Sequence, residues 1–85
     1  MRIVRDPSFV RDFTALPSAI QERAEKKLVL FLENPRHPSL RTKKMEGWDN
    51  IWEAHITKEY CFTFEIQGDL YKLRRIGTHE IYRSP

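Results

Sequence analysis

The sequence predicts an α+β fold, in which an N-terminal helical hairpin packs on one face of a small, mainly antiparallel C-terminal sheet. Two observations carry this prediction, and a third sets its boundaries. Apolar residues recur at helical spacing as far as Leu32. From Leu40 onward they recur at every second residue, the period of a half-buried strand. Proline and turn residues stand at the junctions, at Leu16-Pro17, Asn34-Pro35 and Gln67-Gly68-Asp69. The 85 residues leave room for one domain, spanning residues 1–85. A domain of this size buries only about 60–65% of its unfolded surface, so the core is thin.

Each element has its own signal. Met1 to Arg5 alternates and reads as a short opening strand. Asp6-Pro7 places a helix cap before a proline in the first helical position, and Phe9, Val10, Phe13 and Leu16 follow at helical spacing. A helix over residues 7–15 follows from this. Ser18 to Gln21 fits a capping box, in which hydroxyl and amide satisfy free backbone N–H groups. Ile20, Ala24, Leu28, Phe31 and Leu32 then form one apolar stripe on a helix over residues 19–33. Asn34-Pro35 ends it, because a residue before proline is driven out of the helical region. A basic connector follows, and Leu40 to Met45 reads as an edge strand. Trp52, Ala54 and Ile56 alternate with Glu53, His55 and Thr57; Tyr60, Phe62, Phe64 and Ile66 alternate with Cys61, Thr63 and Glu65. Leu70 to Ile76 is a further strand whose alternation Lys72, Arg74 and Arg75 interrupt. The expected sheet has three or four strands. Its Trp52 face meets the helical stripe. Its other face, carrying His55, Cys61, Thr63 and Glu65, is either solvated or a shallow active site.

Composition narrows the function classes. Fifteen Lys and Arg against twelve Asp and Glu give a net charge of +3, a mild basic bias compatible with nucleic acid. One cysteine, Cys61, excludes a disulfide framework and a Cys-rich zinc site. The apolar run Leu28 to Leu32 is far too short to cross a membrane, and MRIVRDPSF has no signal-peptide character, so a cytoplasmic location is expected. Length and composition exclude large multi-part enzymes and dinucleotide folds, and no cofactor is expected. Charge clusters locally. Arg36, Arg41, Lys43 and Lys44 fall in one anion-free segment, and Lys72, Arg74 and Arg75 in another. Flanking one sheet face, these segments would form a phosphate-attracting groove.

The three histidines, His37, His55 and His79, each lie near a cationic segment, at spacings that match no metal motif. Histidine accepts and donates protons near neutral pH. Metal-free RNA cleavage needs a base for the 2′-OH proton, an acid for the leaving 5′ oxygen and a cation for the charge growing on the phosphoryl oxygens. Histidines, a carboxylate and an arginine supply that inventory without selecting it. Tyr60 and Tyr82, at element ends, are suited either to stack on bases or to pack against the rim.

The order of elements and several segments resemble the RelE/ParE toxin superfamily. Asn34-Pro35, His37-Pro38, Lys44-Met45-Glu46-Gly47 and Trp52-Glu53-Ala54-His55-Ile56 look like its central block. Arg75-Ile76-Gly77-Thr78-His79 resembles the R-x-G-T-H segment of the YafQ-like branch. His55 to Tyr60 is similar to that branch's H-I-x-x-D-W, with Glu59 for Asp and Tyr60 for Trp. The resemblance covers nearly the whole chain and implies a RelE-like fold. It implies the toxin of a type II toxin–antitoxin pair, a ribosome-dependent mRNA endonuclease, with mRNA on the ribosome and a cognate antitoxin as partners. Carried over by position, His55 and His79 become the proton-transfer pair, Glu59 the acidic catalytic residue and Arg75 the cation at the scissile phosphate. His37 resembles a further functional histidine. Arg41, Lys43 and Lys44 match a basic strand that contacts RNA, and Tyr60, Arg74 and Tyr82 are expected at the same interface. Two alternatives stand beside this: a ParE-like toxin that inhibits a topoisomerase, and an inactive relative that binds RNA or a partner.

Overall fold

The computed structural model describes residues 1–85. In chain order the elements are β1 (Arg2–Arg5), α1 (Pro7–Ala15), α2 (Ser18–Glu33), a 3₁₀ turn (Pro38–Leu40), β2 (Lys43–Lys44), β3 (Trp52–His55), β4 (Tyr60–Gln67), β5 (Leu70–Thr78) and a second 3₁₀ turn (His79–Arg83). The sheet has five strands in the order β1-β5-β4-β3-β2. β1 runs parallel to β5, and every other pairing is antiparallel. The sheet is thus one strand larger than the pattern of apolar residues suggested, because β1 and the two-residue β2 both join it. No helix is long and apolar enough to cross a membrane.

The helices start and stop for local reasons. The Asp6 carboxylate accepts the Ser8 backbone N–H at 3.0 Å, capping α1. Hydrogen bonds from the Ser8 hydroxyl and backbone, with Lys72 nearby, hold the Asp6 carboxyl below the usual carboxylate range. The expected capping box at Ser18 does not form: Pro17 occupies the cap position and no side chain caps α2. Gln21 instead donates its amide to the Phe13 carbonyl at 2.9 Å, which ties the end of α1 to the start of α2.

The core lies between α2 and one face of the sheet. Phe31 is wholly buried, and its ring meets Phe62 at 5.2 Å and Phe64 at 4.8 Å, both edge-on. Such pairs contribute about 0.5–1.5 kcal/mol each beyond the area they bury. Leu32, at the end of the predicted stripe, stays half exposed. α1 departs from a simple face-packing hairpin. It adds Phe9 to the core, but it also runs along the edge of β5 beyond the end of β1. There the Ser8 hydroxyl, whose one proton is shared between the Asp6 carboxylate and the Arg74 carbonyl, lies 2.7 Å from the latter, and the Asp12 carboxylate accepts the Ile76 N–H at 3.2 Å.

A β-bulge settles the irregular alternation of β5. Thr63 pairs with Arg75, and the next residue, Phe64, pairs with Leu73, so Arg74 is the extra residue. Leu73 therefore joins the core, while Arg75 stands opposite Thr63 on the other face.

Candidate active site on the polar face of the sheet

The face away from α2 is not open to solvent. Thr63 and Cys61 are wholly buried there, and Glu53 is 6% exposed. The C-terminal segment covers them. Ile81 lies over Gly77, where an added Cβ would come within 3.0 Å of Ile81 Cγ2. Gly77 sits inside β5, opposite Cys61, so close approach of the tail and not departure from the sheet requires glycine at this position. Farther along, Arg75 donates to the Ser84 carbonyl at 3.2 Å and Arg74 to the Pro85 carbonyl at 2.9 Å.

Strand register brings two histidines together at one end of this face. His55 pairs with Cys61, which pairs with Gly77, two residues before His79. The His55 and His79 rings are 6.4 Å apart, edge to face. Each has a close neighbour. Tyr82 stacks on His79 at 5.3 Å with the rings 10° from parallel. Glu53 Oε1 lies 3.5 Å from His55 Nε2 and 3.9 Å from Lys43 Nζ. Burial, with Cys61 and Glu53 alongside, pushes the Tyr82 phenol far above its usual range. Burial likewise pushes the Cys61 thiol up, which keeps it protonated and a poor nucleophile. Neither Tyr82 Oη nor Thr63 Oγ1 has a hydrogen-bond partner within the protein.

The remaining sequence-predicted residues divide into two groups. Tyr60 pairs with Thr78, so Glu59 and Tyr60 stand at the same end of the sheet as the histidine pair; Glu59 is exposed in the β3–β4 turn. Tyr60 and Arg75 line one groove together with Thr78 and Arg83. Arg75 binds Asp12 through two guanidinium nitrogens, at 2.6 and 3.3 Å, and this bond raises its already high pKa further. His37, by contrast, lies away from the pair. It caps the first 3₁₀ turn, where its Nδ1 accepts the Ser39 N–H at 3.2 Å, and it lines a pocket with Trp52, Phe64 and Ile66 on the helical face. Arg41 lines that same pocket.

The single cationic groove expected from charge clustering does not form. In the β2–β3 register Lys43 faces Glu53, whereas Lys44 faces Trp52, so β2 places one lysine on each face. The second anion-free segment finds its anions elsewhere in the fold. Lys72 pairs with Asp6 and Glu65, Arg74 with Glu65, and Arg75 with Asp12. No three His, Cys, Asp or Glu side chains come together as a metal-binding group.

Solved structures match this arrangement over almost its full length. YafQ from E. coli strain BL21(DE3) superposes with a TM-score of 0.78 at 16% identity, covering 96% of this chain and 98% of that one. A chain of the RelB–RelE antitoxin–toxin complex from Methanococcus jannaschii superposes at 0.77 with 24% identity, covering 96% and 99%. A YoeB/ParE toxin from Agrobacterium tumefaciens gives 0.76 at 16% identity, covering 93% and 99%. The chain has the RelE/YafQ toxin fold. No protein-family model and no curated protein matches the sequence, so the likeness rests on structure.

Within this toxin fold, two groups that bear on the site, Glu53 beside His55 and Asp12 on Arg75, were not picked out from the sequence. Glu53 carried a legible signal, since it shares strand parity with His55 two residues later in Trp52-Glu53-Ala54-His55. Asp12 carried none, because it reaches Arg75 from a helix near the other end of the chain. Tyr82 was expected at an RNA interface; its ring stacks on His79.

Proposed function

We propose that the protein is the toxin of a type II toxin–antitoxin pair and that it cleaves mRNA on the ribosome. The observation that carries this reading is the approach of His55, at the end of β3, and His79, in the turn that follows β5, to 6.4 Å, although β3 and β5 are not neighbours in the sheet. Two imidazoles at that separation fit on either side of a phosphodiester. One takes the 2′-OH proton while the other protonates the departing 5′ oxygen. Glu53 beside His55 and Tyr82 against His79 hold the two rings in place, which favours reaction by pre-orientation. Glu59 stands at the same end of the sheet as the acidic member. Arg75 contributes by exchanging Asp12 for the phosphoryl oxygens as charge grows on them. His37 takes no part, since it lines a pocket on the other face.

The antitoxin partner is supported by the solved relatives, which include antitoxin–toxin complexes such as DinJ–YafQ from E. coli and RelB–RelE from Methanococcus jannaschii. The test is mRNA cleavage on translating ribosomes. The wild-type protein is expected to cut, and His55→Ala and His79→Ala are each expected to lose on the order of 10²–10⁴ in rate. Intact mRNA alongside a DNA-damage response would replace the nuclease with a topoisomerase inhibitor.

A further inference from the structure

The pocket that holds His37 opens on the edge of the core, away from the histidine pair. It is a cavity of about 360 Å³ on the helical face, at the Trp52 end of β3. That volume lies within the range of small-ligand sites, about 300–1,000 Å³. Half-buried Trp52, Ile66 and Tyr71 line it, and Arg36, His37 and Arg41 stand around them.

Three further observations mark the site. Arg36 and Arg41 form no ion pair, and neither does Lys44 on the adjoining edge strand, whereas Lys72, Arg74 and Arg75 are all paired. Arg41 has a φ of 48°, in the left-handed region, where a residue with a side chain costs about 1–2 kcal/mol and glycine is the usual choice. The fold therefore keeps a long cation at a position that favours glycine. Finally, the cations form a path. Lys43 faces the histidine side of the sheet and Lys44 the pocket side, so β2 carries positive charge around the sheet edge.

We propose that this pocket binds an unpaired RNA nucleotide, its base held against Trp52 and Tyr71 and its phosphate between Arg36 and Arg41. Aromatic surface beside cations is the general means of holding single-stranded RNA, since every base offers a face for stacking. The three-residue step from Trp52 to His55 spans about 10 Å along the strand. A strand leaving the histidine pair and turning around β2 thus reaches the pocket within a few nucleotides. The choice of RNA draws on the path from the histidine pair and so rests on the nuclease reading; the stacking surface beside two unpaired arginines does not. An acidic peptide with an aromatic side chain fits the same charges but gives no reason for the path around β2.

The test is fluorescence of Trp52 in a Trp48→Phe background, titrated with a single-stranded 2′-O-methyl RNA hexamer, which the proposed 2′-OH chemistry cannot cut. The hexamer is expected to quench Trp52. Arg36→Gln with Arg41→Gln is expected to weaken binding about tenfold and to lower the slope of log affinity against log salt by about 0.7. Both arginines are exposed, so the variant keeps its fold. No quenching, or tighter binding of an aromatic-containing glutamate-rich peptide, would overturn the proposal. Quenching by the hexamer in a protein that leaves ribosomal mRNA intact would support the pocket while removing the nuclease reading.

Discussion

On one face of the sheet, Phe31 fills the space between Phe62, Phe64 and Tyr71, and every buried side chain is apolar. On the other, a short tail covers Thr63, Cys61 and the Glu53 carboxylate, and two hydroxyls are left without partners. A buried hydroxyl without a partner costs about 1–3 kcal/mol. The first face stabilises the domain, and the second spends part of that stability on holding polar groups in place. A thin core tolerates this only because the aromatic cluster opposite is well packed. What the polar face gains is location: the tail that covers it also delivers His79 and Tyr82 to His55.

Substitutions on the two faces should therefore separate stability from placement. The largest stability effect is expected at Phe31→Ala, about 3–5 kcal/mol, because it opens a cavity that three aromatic rings surround. Urea denaturation checks this, and a loss under 1 kcal/mol would show that the aromatic face is not the stabilising one. Gly77→Ala comes next. Its Cβ would press on Ile81, with an expected cost of about 1–3 kcal/mol. Because Ile81 belongs to the segment that carries His79, cleavage should fall by more than the stability loss explains. A variant that cuts at the wild-type rate would detach the tail from the site.

Tyr82→Phe keeps the ring against His79 and removes only a hydroxyl that has no partner. Stability should rise, by about 1–3 kcal/mol. A loss of 2 kcal/mol or more would mean that the hydroxyl is held after all. The smallest effect is expected at Asp6→Asn, which keeps a capping oxygen and removes the charge. The folded carboxyl sits below its ordinary value of 3.8, so its stabilisation is present above that pH and is lost as pH falls through the folded value. The variant should be less stable than wild type at neutral pH, and the gap should close below pH 3.8. A gap that persists in acid would assign the effect to shape and not charge.

The aromatic face was legible in the sequence because its signals are periodic and local. Phe62 and Phe64 follow the strand period, Phe31 follows the helical one, and the limits of α1 follow from Asp6-Pro7 and Leu16-Pro17. The polar face was legible only in part. His55 and Glu53 share a parity that the sequence displays. Arg75 could not be assigned, because the bulge at Arg74 reverses parity within β5, and nothing in Leu73-Arg74-Arg75 announces the bulge. The tail was hidden for a different reason: its seven residues contact strands far away in the chain, and no period encodes such contacts. His37 resembled a third functional histidine, yet the connector that carries it turns to the opposite face. The charge clusters misled in a similar way, since a segment without anions in sequence meets Asp6, Asp12 and Glu65 in space.

The central claim is that His55 and His79 act as one proton-transfer unit on RNA. It is tested most directly by single-turnover cleavage of ribosome-bound mRNA with wild type, His55→Ala, His79→Ala and the double variant. Groups that act together lose most of their effect when either is removed. The expected result is a loss on the order of 10²–10⁴ for each single variant and little more for the double. Losses that multiply in the double variant, or single variants that cut at the wild-type rate, would contradict it.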